Sequence, residues 1–205
     1  VEVLCGGGMD NPVELAFAPE GDVFGTMTFY NPDDHRHDAI VHFIHGGVYP
    51  RKHAVVEEFK RTGDFLPPLC LFETVAPAGF MRYQGTQLPE AMRGNLFSVQ
   101  FNTHQVLRHP LARNGATWEA TTEPFLVSSH IDFHPTDVLE DADGSLLVID
   151  TGGWFRHGCP TSQVAKPDVL GAIYRVRRTD AAPQPDPRGL KLAWDQAKLD
   201  ELLIR

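Results

Sequence analysis

Short runs of alternating apolar and polar residues, separated by turns, predict an all-β chain. The alternation is clearest at 94–101, where Leu96 and Ser98 should face one way and Phe97 and Val99 the other. Residues 55–59 could form a turn or two of helix. Strands are predicted at 12–18, 22–29, 39–45, 71–75, 94–101, 104–109, 123–128, 135–140, 145–150 and 171–177.

One segment of this pattern occurs twice. Residues 11–25 and 134–148 align without a gap at a constant offset of 123, so that Gly21 corresponds to Gly144 and Glu14 to Asp137. Each copy predicts a strand, a polar turn closed by a glycine tolerant of positive φ, and a second strand. A hairpin that recurs along an all-β chain indicates a radial array, and we therefore expect a β-propeller.

Composition excludes several classes of protein. The 205 residues are 42% hydrophobic, which is enough for a sizeable core, and the net charge of −9 disfavours a nucleic-acid partner. Three cysteines without a Cys-x-x-Cys pair argue against a disulfide framework or a zinc site. There is no haem attachment motif in this chain, and no apolar run approaches the ~20 residues of a membrane span.

Three regions are predicted along the chain. Residues 1–178 form the propeller domain, which we expect to be incomplete on its N-terminal side, and 179–193 form a Pro-rich linker. Residues 194–205 have a capping aspartate and a leucine stripe, and are predicted to start a helical region. Within the propeller, 151–170 is a long Gly/Pro-rich excursion, and loops of this length are usually functional or disordered.

Four motifs, at 11–14, 94–97, 143–150 and 171–176, resemble the glucose/sorbosone dehydrogenase-like propellers. The stretch 150–162 is most similar to the planctomycete-type membrane-bound dehydrogenase proteins, in which HEAT-type repeats and often a haem c domain follow the propeller. The resemblance implies a six-bladed ring, pyrroloquinoline quinone (PQQ), calcium, a sugar or polyol substrate, and a bacterial protein that is exported or periplasmic. At 40–50 residues per blade, this chain would supply about four blades.

The strongest candidates for a catalytic or metal-binding site are His130, Asp132 and His134. If 130–134 is extended, all three side chains share one face, opposite Ile131 and Phe133. They could then bind a divalent metal, or provide a histidine base oriented by an aspartate. The resemblance also implies a histidine base before the Asp143-Gly144 hairpin. Hydrogen-bonded histidines at a polar strand edge are the structural alternative.

Two further groups contain candidate residues. His35, His37, His42 and His45 are close in sequence, but His42 and His45 should point to opposite faces of a strand. In the long loop, Trp154 could stack on a sugar or quinone, with Arg156 and His157 as further cofactor contacts; these aromatics could instead anchor the loop. Cys159 could be a reactive thiol, whereas Asp137 and Asp150 are expected to bond turn amides.

The leading functional prediction is a quinoprotein-type sugar or polyol dehydrogenase that oxidises a hydroxyl or aldehyde group. Two alternatives stay open, because fold alone does not define function. One is a non-catalytic propeller that binds carbohydrate or protein and supports downstream helical and haem c domains. The other is a calcium-dependent hydrolase of the lactonase type. Self-association through open blade faces is also expected.

Overall fold

The computed structural model describes residues 1–30, 36–51, 54–58, 60, 62–153, 166 and 168–182. Almost all regular structure in these residues is antiparallel strand, as the alternation predicts. The only α-helix within them is α1 (Ala54–Glu58). The strands are β1 (Leu15–Phe17), β2 (Val23–Tyr30), β3 (Arg36–Phe43), β4 (Cys70–Phe72), β5 (Pro77–Arg82), β6 (Leu96–Gln100), β7 (Gln105–His109), β8 (Leu111–Asn114), β9 (Thr117–Ala120), β10 (Glu123–Val127), β11 (Pro135–Glu140), β12 (Leu146–Asp150) and β13 (Ala172–Val176).

The described strands form three blade-like sheets and one separate hairpin. Blade 1 has the order β1-β2-β3-β4, blade 2 the order β5-β6-β7-β10, and blade 3 the order β11-β12-β13, while β8 and β9 pair with each other. The partial β-propeller is confirmed. Its described part holds three blades where about four were expected, because the β8–β9 hairpin and the connection from β3 to β4 lengthen individual blades.

The two sequence repeats fold as equivalent hairpins. Leu15 pairs with Gly25 in the first, and Val138 pairs with Val148 in the second, so the register is identical at the offset of 123. The turn hydrogen bonds also correspond, with Gly21 N donating to Ala18 O at 3.0 Å and Gly144 N to Asp141 O at 2.8 Å. Both glycines have positive φ, 99° and 80°, as this turn requires.

The blades pack through apolar faces. The sides of β6 separate as predicted, since Leu96 packs toward blade 1 and Phe97 and Val99 toward blade 3. A third apolar cluster covers the other face of blade 1, where Tyr49 and Leu66 from the β3–β4 connection pack on Met27 and Phe29. Because β6 packs on blade 1 with one side and on blade 3 with the other, both faces of blade 2 are buried. The removal of this apolar area from water stabilises the array.

The inner strand of blade 2, β5, was not predicted. It begins at a proline and contains Gly79, so its sequence lacks strand alternation. It nevertheless contacts both β1 and β11. A Cβ at Gly79 would lie 2.4 Å from the Cα of Asp137, so glycine is required there by the close approach of β11.

The β8–β9 hairpin was also not predicted, and it joins blade 2 to blade 1. The indole Nε1 of Trp118 donates to Asp22 at 2.9 Å, and the guanidinium of Arg113 pairs with the same carboxylate at 3.0 Å. His42 also reaches Asp22, at 3.2 Å, and bonds Thr117 at 3.0 Å. His42 is thus buried in an interblade contact. His45 does not share a strand with it, because β3 ends at Phe43 and His45 lies exposed in the following turn, beside Glu2.

Candidate functional site

His130, Asp132 and His134 lie where blades 2 and 3 meet, on a surface that we call the His134 face. It consists of the turn 101–104 between β6 and β7, the segment 128–134 before β11, and residues 151–153 after β12. The contacts between these three segments are short and polar. These contacts bring together residues of blades 2 and 3 that are far apart in the sequence.

Residues 130–134 do not form the extended strand that was predicted. Phe133 N donates to His130 O at 3.1 Å, which closes a turn, and Asp132 N donates to His130 Nδ1 at 3.2 Å. As a result, Phe133 and His134 are both buried, while Ile131 is exposed. The expected separation into two faces is wrong, because a turn and not a period of two sets the side-chain directions.

The metal set predicted from His130, Asp132 and His134 is not formed. Lys166 pairs with Asp132 at 2.5 Å, and this hydrogen bond holds the pKa of Asp132 below its usual value. In the part of the chain that the structure describes, no group of three or more His, Cys, Asp or Glu side chains is arranged to hold a metal ion. The correction follows from the turn, which leaves His130 exposed and His134 buried.

His134 is oriented by backbone and not by Asp132. Its Nδ1 lies 2.8 Å from the carbonyl oxygen of Gly152. Because a carbonyl oxygen can only accept, Nδ1 carries the proton and Nε2 is left with a lone pair. No hydrogen bond to this Nε2 is made by the described residues. The side chain is therefore in the tautomer that a proton acceptor or a metal ligand requires.

Asp150 holds both partners of that hydrogen bond in place. Its Oδ1 accepts from the backbone N–H of His134 and from that of Gly152, each at 2.8 Å. The prediction that Asp150 bonds backbone amides is confirmed. The repeat at 11–25 has Asn11, with φ 45°, at the position of His134, so the histidine is not required by the hairpin itself.

His104 is the site residue that the sequence did not reveal. It lies in the turn between β6 and β7 with φ 56°, a left-handed conformation that is uncommon for residues other than glycine. Its Nδ1 lies 2.5 Å from Phe133 O, and its ring centre is 5.1 Å from that of His134 at an interplanar angle of 71°. Phe101 lies against the other side of His134, with ring centres 4.7 Å apart.

The sequence contained one signal for His104. Asn102, Thr103 and His104 are consecutive polar residues between two strands of clear alternation, which marks a tight turn. Nothing local connects that turn with His134, thirty positions further on.

The predicted cofactor contacts Trp154, Arg156 and His157 lie outside the described residues, as do His35 and Cys159. PQQ bears carboxylates, which need cationic partners. Near His134, Lys166 is a cation but is engaged by Asp132, so the described residues do not by themselves fit this cofactor. They also offer no carboxylate cluster for calcium.

A cavity of about 550 Å³ lies elsewhere, on the far side of blade 1. It is lined by glycines and apolar side chains, with His45, Lys60 and Asp64 among its polar residues. His130, Asp132 and His134 do not line it. No described helix is long and apolar enough to cross a membrane.

Comparison with solved structures shows the fold. The chain resembles a glucose dehydrogenase-type oxidoreductase from Thermus thermophilus, with a TM-score of 0.57 and 21% identity over 85% of this chain and 47% of that one. The PQQ-bound aldose sugar dehydrogenase of Streptomyces coelicolor matches at 0.51 with 19% identity, over 74% of this chain and 40% of that one.

The soluble aldose sugar dehydrogenase of Escherichia coli, in its apo form, matches at 0.52 with 19% identity, over 73% of this chain and 44% of that one. The fold is therefore that of the glucose/sorbosone dehydrogenase-like propellers. This chain spans less than half the length of these structures. No family model and no curated protein sequence matches it.

Proposed function

We propose that the chain is part of a sugar or polyol dehydrogenase-like propeller in which His134 accepts the proton of a substrate hydroxyl. The observation that carries this proposal is the orientation of His134. Its Nδ1 donates to Gly152 O at 2.8 Å, and its Nε2 is unpartnered within the described residues. A positioned imidazole with a free lone pair is the usual general base for removing a proton from a hydroxyl group.

His130 and Asp132 have supporting roles in this proposal. Asp132 pairs with Lys166 near His134, and its charge acts on both histidines. His130 is exposed at the rim, where it could contact a bound substrate.

The cofactor remains a proposal from the resemblance. PQQ supplies a two-electron acceptor when bound, with Trp154, Arg156 and His157 as its proposed contacts and calcium as the accompanying ion. An exported or periplasmic location and association with downstream HEAT-type and haem c domains belong to the same proposal.

The decisive experiment measures dye reduction by the purified chain with PQQ, calcium and a panel of aldoses and polyols. We expect activity with at least one substrate, and a loss of roughly 100-fold or more in kcat for His134→Asn, because general base catalysis contributes this much. His45→Gln, an exposed histidine on the far side of blade 1, is the control and should retain activity. Absence of both dye reduction and a bound-quinone spectrum would favour a binding scaffold, and lactone hydrolysis without an electron acceptor would favour the hydrolase.

A further inference from the structure

His104 and His134 form a pair that differs from every site predicted above. Their ring centres lie 5.1 Å apart, although they come from different blades. His134 is 6% exposed, and His104 is half-buried. Phe101 packs against His134, and His104 is the member of the pair with more surface in solvent.

Both rings have the same hydrogen-bonding state. Nδ1 of His134 donates to Gly152 O at 2.8 Å, and Nδ1 of His104 donates to Phe133 O at 2.5 Å. A carbonyl cannot donate, so both Nδ1 atoms carry protons and both Nε2 atoms present lone pairs. Within the described residues, neither Nε2 receives a hydrogen bond.

Each ring makes the second hydrogen bond that is typical of a metal-ligating histidine. Such a histidine almost always donates its second ring N–H to a carboxylate, a backbone carbonyl or water, which fixes the tautomer and the ring orientation. Here two adjacent imidazoles both meet that condition through backbone carbonyls. The left-handed backbone at His104, φ 56°, is a strained conformation of the kind that is concentrated at functional sites.

We infer that His104 and His134 bind a borderline divalent transition metal, such as Zn²⁺ or Cu²⁺, through their two Nε2 atoms. Imidazole nitrogen suits these ions, whereas calcium and magnesium prefer oxygen ligands. Water or a ligand oxygen would complete the coordination.

The inference does not depend on the proposed dehydrogenase activity. Nε2 of His134 cannot bind a metal ion and accept a proton at the same time. If both proposals hold, Zn²⁺ inhibits the oxidation. Metal binding is measured without substrate or quinone, so failure of one proposal is distinguishable from failure of the other.

The test is a titration of the 205-residue chain with Zn²⁺ by calorimetry, together with Cu²⁺ electron paramagnetic resonance. The variants are His104→Asn, His134→Gln and the double variant, with His45→Gln as the control. Asparagine is chosen at 104 because it tolerates a left-handed backbone. Circular dichroism of each metal-free variant verifies folding.

The wild type and the control should bind one Zn²⁺ with equal affinity, and calcium should not compete. Each single substitution should weaken binding roughly tenfold or more, to the level of the double variant, because one imidazole alone is no better than a surface histidine. The Cu²⁺ spectrum should show two coordinating nitrogens in the wild type and one in His104→Asn. Unchanged affinity in His104→Asn, whose side chain is half-buried, would overturn the inference even if His134→Gln did not fold.

Discussion

His109 is a buried histidine with a structural role. His109 is fully buried in blade 2, with Nε2 2.8 Å from the Ser98 hydroxyl and Nδ1 3.2 Å from that of Thr122. Burial lowers the pKa of His109 to about 3. A Ser–His pair of this kind is a core hydrogen bond and not a nucleophile and base, since the imidazole is sealed from any substrate.

The lowered pKa of His109 predicts acid sensitivity of folding. In the unfolded chain His109 titrates near pH 6.5. Above that pH the histidine is neutral in both the folded and the unfolded state, and its full contribution to the free energy of unfolding is present. As the pH falls from about 6.5 toward 3, only the unfolded state takes up the proton, and stability is lost by up to about 1.4 kcal/mol per pH unit. Urea unfolding at several pH values measures this slope.

His109→Gln should flatten that dependence between about pH 6 and 4, although it lowers stability overall. His45→Gln, an exposed control, should leave the slope unchanged. Equal slopes in the wild type and His109→Gln would show that His109 is protonated in the folded protein.

Cys70 shows that burial also removes reactivity. Desolvation raises the pKa of its thiol to about 11, so almost no thiolate forms at neutral pH. Cys70 is therefore a core side chain.

At the scale of elements, the inner strands depend on one another. Glu14, beside β1, accepts from Phe80 N of β5 at 2.7 Å, while Asp137 of β11 lies against Gly79. Burial raises the pKa of both carboxyl groups, and each is placed at the same position of the hairpin repeat. The repeat thus positions equivalent acids on either side of β5.

Gly79→Ala tests this close packing. Its Cβ would lie 2.4 Å from both the Cα and the Oδ1 of Asp137, and the backbone cannot move aside without disturbing β11. We expect a loss of about 1–3 kcal/mol in the free energy of unfolding, as for other overpacked sites. Denaturant unfolding measures it.

Gly63→Ala is the matched control. A Cβ at Gly63 meets no atom within 4 Å, so the change should stay within about 0.5 kcal/mol. If both variants were equally stable, β5 and β11 would be further apart than the structure places them.

At the scale of the whole molecule, the two ends of the blade array expose apolar side chains. Leu15 and Phe17 of β1 are 49% and 59% exposed, and Ile173 of β13 is 68% exposed. The β3–β4 connection covers β2 and β3 of blade 1 but leaves these two side chains of β1 in solvent. Exposed apolar side chains on the first and last of the described blades favour association.

We therefore expect concentration-dependent self-association of the 205-residue chain, measured by light scattering. Phe17→Lys and Ile173→Lys should each shift it toward monomer, because a buried lysine at an interface is unfavourable. Val127→Lys, on the outer strand of blade 2 and 62% exposed, is the control and should change nothing. A monomeric wild type over a wide concentration range would contradict this prediction.

Local features of the fold were readable from the sequence. The register of both repeated hairpins follows from a strand alternation and a glycine with positive φ, and both signals lie within one short segment of each repeat. The burial of Leu96 and Phe97 on opposite sides follows from the same period of two. These are properties of neighbouring residues, so no knowledge of distant contacts was needed.

Other features were decided by tertiary structure. β5 is a strand because β6 pairs with it and β11 packs against Gly79, not because its own residues favour one. His104 meets His134 only when blades 2 and 3 pack, and the turn at 130–133 directs His134 away from Asp132 and toward Gly152. The sequence indicated His134 as a residue that could carry chemistry, whereas the packing of the blades decided which residues surround it, because contacts between distant segments leave no local pattern.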